Sequence, residues 1–430
     1  MDLTIEGNAY INGSFQRCCL GIQQGKIAAV KKNLKAEKHI DVGNKLILPA
    51  GVDLHVHFRD PGLTHKEDFF TGSRAAAFGG ITYVGDMPNT KPPTTTLVAL
   101  KNKKKCASKK SVIDFGIYAG VTDANRKNLS RLALHCSGFK IYLGSTTHSV
   151  QLTGSYLPEV FRVLAKTKKV TLIHAEQEQC LQQHTLVERS LLDHMQAHPV
   201  FCEETAITSI LRHAKKIPVR AHICHLSSTK GVELVKKRPA NVTVGVTPHH
   251  LLLESEAVQS RYTWYKVNPP IRTNADRESL WKSVNTRVID VVESDHAPHT
   301  LKEKEMDFDK APSGVPGVET MYPLLLALVK QDKLSFQRLI SLICEKPAEI
   351  LRIPKGTLAV GRDADFIVVD FKNMSMIHGA SLHSKSLWTP FEGWPAVFPD
   401  SVYLRGESLI DDQELLVKPG FGRLREAADV

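Results

Sequence analysis

The sequence predicts an α/β protein: a (β/α)8 TIM barrel carrying a small β-sandwich domain built from both termini. Three observations predict this class. Eight apolar, β-rich runs recur across the middle of the 430-residue chain. Runs of that kind mark strands buried on both faces of a parallel sheet. Helix-like stretches separate most of them, as in residues 66–80 (KEDFFTGSRAAAFGG) and 323–331 (PLLLALVKQ). Both ends of the chain instead read as short strands with turn punctuation, so they are expected to pair with each other. The expected boundaries are 1–50 together with 355–430 for the β-domain, and 51–354 for the barrel.

The elements follow in order. Tyr10 to Phe15 (YINGSF) carries an Asn-Gly hairpin signal, and LGIQQGKIAAV continues the strand texture. The barrel candidates are residues 52–58 (VDLHVHF), 81–88 (ITYVGDMP), 111–120 (SVIDFGIYAG) and 139–144 (FKIYLG). Residues 170–176 (VTLIHAE), 219–227 (VRAHICHLS), 242–250 (VTVGVTPHH) and 288–299 (VIDVVESDHAPH) complete the eight. Residues 356–371 and 401–410 then return to the texture of the first fifty. An open doubly wound sheet is the structural alternative, but no GxGxxG follows the first strand of the series.

Composition narrows the function. Apolar residues make up 42% and charged residues 23%, a globular balance that argues against wholesale disorder. No apolar run approaches the ~18 residues of a membrane span. The start, MDLTIEGNAY, has an acid at position 2 and no apolar core of a secretory signal, so a soluble, cytoplasmic protein without a membrane partner is expected. The formal charge of +11 raises the question of nucleic acid. The densest basic run, Lys101 to Lys110, has no interleaved aromatic residue, so it reads as a solvated helix end and no nucleic-acid partner is expected. The eight cysteines are scattered without a CxxC pair, which points to reduced thiols.

The histidines carry the chemistry. Twelve of 19 fall between Lys140 and Thr300. His55, His57, Asn89, Lys140, His174, His225 and Asp295 all lie at or near the C-terminal ends of strand candidates, the face of a barrel where active sites sit. His55-Val56-His57 alternates, so both imidazoles share one face of a strand and can chelate one ion. Arg59 follows in the first loop. Lys140 is the odd residue of an apolar strand. Burial near cations favours its neutral amine, which can react with carbon dioxide to form a bridging carbamate. His174 and His225 offer neutral nitrogens for a second ion, with His222 and Cys224 as packing or supporting residues. Asp295 can bind the first ion and shuttle a proton.

HVHFRDPG, DMPNT, GFKIYLG, HAEQ, HICHLS, VTPHH, NPPIR and SDHAPHT, in this order, resemble the cyclic amidohydrolase superfamily, and within it the type I dihydroorotases. The resemblance covers nearly the whole chain, including GTLAVGRDADFIVVD in the split β-domain. It implies a binuclear zinc barrel that interconverts N-carbamoyl-L-aspartate and L-dihydroorotate in pyrimidine synthesis. It implies two Zn2+ per chain. His55, His57 and Asp295 then hold the more buried ion, His174 and His225 hold the second, and Lys140, N6-carboxylated, bridges them. Arg59, Asn89 and His299 match holders of the substrate carboxylate, while Asn268, Ser313 and Gly314 match contacts to the ring. Asp60 stands where the family often has Glu, and some type I enzymes have Asp in place of the bridging lysine. Allantoinase and dihydropyrimidinase (hydantoinase) share the metal ligands and are the enzymatic alternatives. A non-catalytic assembly partner of another pyrimidine enzyme is the other class, though none of the ligands it would be expected to lose is missing. The expected partner is a small molecule, with a homo-oligomer or association with another pyrimidine-pathway enzyme left open.

Overall fold

The computed structural model describes residues 1–144 and 150–426. The chain opens with four strands, β1 (Leu3–Ile11), β2 (Ser14–Gln23), β3 (Lys26–Lys31) and β4 (Lys38–Pro49). Ile11 pairs with Ser14 across the two-residue turn. Asn12 and Gly13 both have positive φ, 49° and 87°, as this hairpin turn requires.

Eight parallel strands follow: β5 (Gly51–Val56), β6 (Ile81–Asp86), β7 (Asp114–Gly120), β8 (Gly138–Tyr142), β9 (Val170–His174), β10 (Ala221–Ile223), β11 (Val242–Val246) and β12 (Val291–Val292). They pair in sequence order. A parallel bridge between Val56 and His296 closes the ring, with the His57 N–H donating to the His296 carbonyl at 2.8 Å. Val52, Leu54, Tyr83, Tyr118, Leu172 and Val291 fill the interior, and the Tyr118 hydroxyl donates to the Leu54 carbonyl at 3.0 Å. The barrel is therefore a packed core whose C-terminal rim alone is open to chemistry.

Helices cover the outside. The first, α1 (Phe69–Phe78), starts where Asp68 accepts from the Phe70 and Thr71 amides, which sets the length of the loop after β5. Next, α2 (Leu97–Lys110) holds the basic run, and the structure corrects its expected character. Lys103 is fully buried, ion-paired to Asp86 and donating to the Met87 carbonyl at 2.6 Å, while Lys110 pairs with Asp60 at 2.8 Å. A lysine stem packs well on an apolar surface, and here the buried Asp86 draws the head group in as well.

The remaining strands are β13 (Phe366–Val369), β14 (Ser375–Met376), β15 (Pro395–Ala396), β16 (Ser401–Leu404), β17 (Glu407–Asp411) and β18 (Glu414–Leu415). β13 inserts between β4 and β16, so both ends of the chain share one eight-stranded sheet. Its core gathers Ile5, Leu20 and Ile47 from the first strands with Phe366 and Val368 from the last. The segment after β18 returns to the base of the barrel, where Phe115 exchanges backbone hydrogen bonds with Arg423 and Arg425. Asp114 there meets Lys355, Arg405 and Arg425.

The expectation of reduced thiols throughout needs one correction. Cys180 and Cys202 form a disulfide. They are 22 residues apart and meet only because the helix Glu178–Gln183 packs on the start of the helix Val200–Ala214. No short-range spacing encodes that contact.

Candidate metal centre and substrate pocket

The C-terminal rim of the barrel encloses a pocket lined by every residue singled out above as a ligand or substrate contact. Three of them, Arg59, His225 and Asp295, have positive φ of 62°, 36° and 45°. Non-glycine residues adopt that region at a cost, and it turns each side chain off its strand end towards the barrel axis.

His55 and His57 both aim Nε2 at one oxygen of Asp295, each at 3.1 Å. Ligands of a tetrahedral ion bound at ordinary zinc distances stand about 3.3 Å apart, so this trio fits around one ion. On the other side, His174 Nδ1 and His225 Nε2 face each other at 3.1 Å. Lys140 lies between the two groups, fully buried, with its amine 3.5 Å from His55 Nε2 and 3.2 Å from Cys224 Sγ. No carboxylate pairs with it among the described residues.

Burial favours the neutral form of three of these imidazoles. It pushes His57 down to about 3, against the opposing pull of Asp295, and it lowers His174 and His225 as well. Neutral rings are the form that binds metal. The outward nitrogens are supported too. Asn89 Oδ1 lies 2.6 Å from His57 Nδ1, so that nitrogen donates and Nε2 keeps its lone pair. Glu176 lies 2.8 Å from His174 Nε2 and 2.9 Å from His198 Nδ1.

Arg59 stands beside the ligands. Its Nε donates to the Pro298 carbonyl at 3.3 Å, and Nη2 lies 3.1 Å from His299 Nε2. Asp60 and Asp68, the acids near it in sequence, are taken by Lys110 and Lys385. No carboxylate lies within ion-pair distance of Arg59 among the described residues, although the guanidinium is buried and lines the pocket. Asn268 presents a buried Oδ1 without a partner among the described residues. Ser313 and Gly314 form the opposite wall, where the Ser313 carbonyl oxygen lies 3.1 Å from His299 Nε2 and the Gly314 N–H donates to the Lys266 carbonyl. A Cβ at Gly314, whose φ is 135°, would lie 2.6 Å from the Ala297 carbonyl oxygen, so only glycine lets the wall approach this closely.

Sequence reasoning missed Tyr142, His249 and Glu293. Tyr142 and His249 line the pocket, and the Tyr142 hydroxyl is buried without a partner among the described residues. Their only signal was membership in the quoted strings GFKIYLG and VTPHH. Neighbouring motif histidines are structural: His250 contacts Thr247 and the Pro269 carbonyl, and His296 Nδ1 accepts from the Gly317 amide. His222 faces Thr243 at 2.9 Å, as a supporting residue would.

The amidohydrolase family model matches residues 46–409, which span the barrel and much of the shared sheet. This chain belongs to the amidohydrolase family. Among its relatives, the dihydroorotase of Methanosarcina acetivorans is 39% identical, covering 97% of this chain and 94% of that protein. The dihydroorotase of Thermoplasma acidophilum is 38% identical and covers 97% of each. Among solved structures, the L-hydantoinase (dihydropyrimidinase) from Arthrobacter aurescens superposes with a TM-score of 0.93 at 30% identity, covering 98% of this chain and 99% of that one. No helix of this amidohydrolase, among the described residues, is long and apolar enough to cross a membrane.

Proposed function

We propose that this amidohydrolase is a dihydroorotase, a cytoplasmic enzyme that interconverts N-carbamoyl-L-aspartate and L-dihydroorotate in pyrimidine synthesis. One observation carries the choice of substrate: a buried guanidinium, Arg59, lines the pocket without a carboxylate partner among the described residues. A buried cation left unpaired is costly, and the ring carboxylate of dihydroorotate supplies the missing anion. The curated dihydroorotases at 38–39% identity support the same choice. The second reading, a hydantoinase, is favoured by the structural likeness to the Arthrobacter enzyme. Hydantoin and dihydrouracil lack a ring carboxylate, so that reading gives Arg59 nothing to bind.

His55, His57 and Asp295 would hold one zinc ion, and His174 and His225 a second. Lys140, as its N6-carboxylate, would bridge them, which agrees with a fully buried amine that has no acidic partner among the described residues. Divalent ions in such a site lower the pKa of water and polarise a carbonyl. The protein groups do the rest. Arg59 binds the ring carboxylate, and the Asn89 amide nitrogen adds a donor because its oxygen is committed to His57. His299 braces the guanidinium, and Asn268, Ser313 and Gly314 contact the ring. In ring opening, water forms a C–O bond at the ring carbonyl, Asp295 takes the proton, and the C–N bond breaks as Asp295 returns that proton to nitrogen. Ring closure retraces these steps. The catalytic unit is residues 51–354, and residues 1–50 with 355–430 form the supporting β-domain.

Metal analysis with parallel assays on dihydroorotate, hydantoin, dihydrouracil and allantoin tests the proposal. Two zinc ions and a clear preference for dihydroorotate are expected. Preference for any of the other three overturns the assignment.

A further inference from the structure

Glu293 is fully buried behind the metal centre, and nothing in the mechanism above uses it. It sits at the end of β12, two residues before Asp295. Its Oε1 accepts the backbone N–H of His225 at 2.7 Å. Its Oε2 lies 3.2 Å from His55 Nδ1 and 3.5 Å from His222 Nε2. Those two ring nitrogens and Oε2 itself are buried without an aligned hydrogen-bond partner among the described residues, and this oxygen lies within ion-pair distance of both. Gly245 on β11 leaves the slot that the carboxylate fills. A Cβ there would lie 2.6 Å from Glu293 Oε1 and 2.9 Å from His222 Nε2.

One carboxylate thus touches a ligand from each half of the centre, the ring of His55 and the backbone of His225. The second contact falls where His225 holds a φ of 36°. A residue in that conformation persists only where its surroundings hold it, and a charge-assisted bond to its N–H does so. At His55, an acceptor facing Nδ1 places the proton there and leaves the Nε2 lone pair pointing at Asp295 and Lys140.

We propose that Glu293 is a positioning residue that sets the tautomer of His55 and fixes the backbone of His225, so that both present their Nε2 lone pairs to a divalent ion. The proposal rests on the assignment of His55 and His225 as ligands but on no particular substrate. Glu293→Gln is the informative change because it keeps the size of the side chain. Its carbonyl oxygen would still accept from His225 N–H, which turns the amide NH2 towards His55 Nδ1. His55 would then accept at Nδ1 and carry its proton on Nε2, blocking the metal position.

Side-chain nitrogen NMR of isotope-labelled histidine in the metal-free protein reads the tautomer directly, with His55 assigned through its loss in His55→Asn. The expected result is Nδ1–H in the wild type and Nε2–H in Glu293→Gln. Titration of the metal-free chains with zinc against a competing chelator should show about tenfold to hundredfold weaker binding in the variant. A wild-type His55 protonated on Nε2 overturns the proposal even if the variant does not fold. So does a folded variant with an unchanged tautomer and zinc affinity within about threefold of wild type. Neither readout uses substrate, so a chain that binds zinc but ignores dihydroorotate would overturn the proposed substrate and leave Glu293 standing.

Discussion

Replacing Arg59 with Met isolates the feature on which the proposed substrate rests. Methionine keeps most of the stem and removes the charge. The structure shows which part of the guanidinium is free: Nε is committed to the Pro298 carbonyl, Nη2 leans on His299, and the Nη1 hydrogens meet no acceptor among the described residues. One or two charge-assisted bonds to the substrate are therefore at stake, with about 1.5–3 kcal/mol for the first. Each 1.4 kcal/mol is a factor of ten, so kcat/KM for dihydroorotate should fall by about tenfold to hundredfold. Metal content should not change, because Arg59 makes no hydrogen bond to His55, His57 or Asp295 among the described residues. Arg59→Lys should recover only part of the loss, since an ammonium cannot form the planar fork. The assay is steady-state turnover in both directions beside zinc analysis. A Met variant with wild-type kcat/KM and full metal would refute the reasoning, because the buried cation would then have no anion to bind.

Further outcomes follow from the same geometry. Lys140→Ala should lose metal and activity together, and short carboxylic acids should partly restore both; full zinc occupancy with normal turnover would remove the bridging role. Asp295→Ala should lower kcat by more than the ~10²–10⁴ of a lost general base, because a ligand disappears with it, and a kcat close to wild type in that variant would contradict the assignment. At the barrel base, burial alone would raise the Asp114 carboxyl, but Lys355 and Arg405 bring it down to about 2 from its usual 3.8. Its stabilising effect is then complete above about pH 4 and fades as pH falls towards about 2. Asp114→Asn should destabilise the protein by about 3–5 kcal/mol at neutral pH, since it leaves buried cations underpaired. Urea unfolding should show that gap shrinking below pH 4, and a gap independent of pH would refute the linkage.

What the sequence determined by itself is what depends on local pattern. Period-two spacing puts His55 and His57 on one face of a strand wherever that strand lies. Apolar runs rich in β-branched residues fit strands covered on both sides, and eight of them interleaved with helical stretches leave a barrel as the economical arrangement. Polar residues at the ends of those runs then fall on the rim together, which is why His174, His225 and Asp295 were legible before any coordinates. Tertiary structure decided what depends on residues far apart in the chain. Only the fold shows that Asp60 and Asp68 go to Lys110 and Lys385, leaving Arg59 for an anion. Only the fold joins Cys180 to Cys202 and draws Lys103 out of a basic run into a buried pair with Asp86. Glu293 is the sharpest case. Its meaning comes from a slot left by a glycine on the neighbouring strand, next to histidines contributed by two others. Period and composition report which way a residue faces on its own element. The partner it meets there is set by closure of the barrel, which brings strand ends from across the chain within a few ångströms of each other.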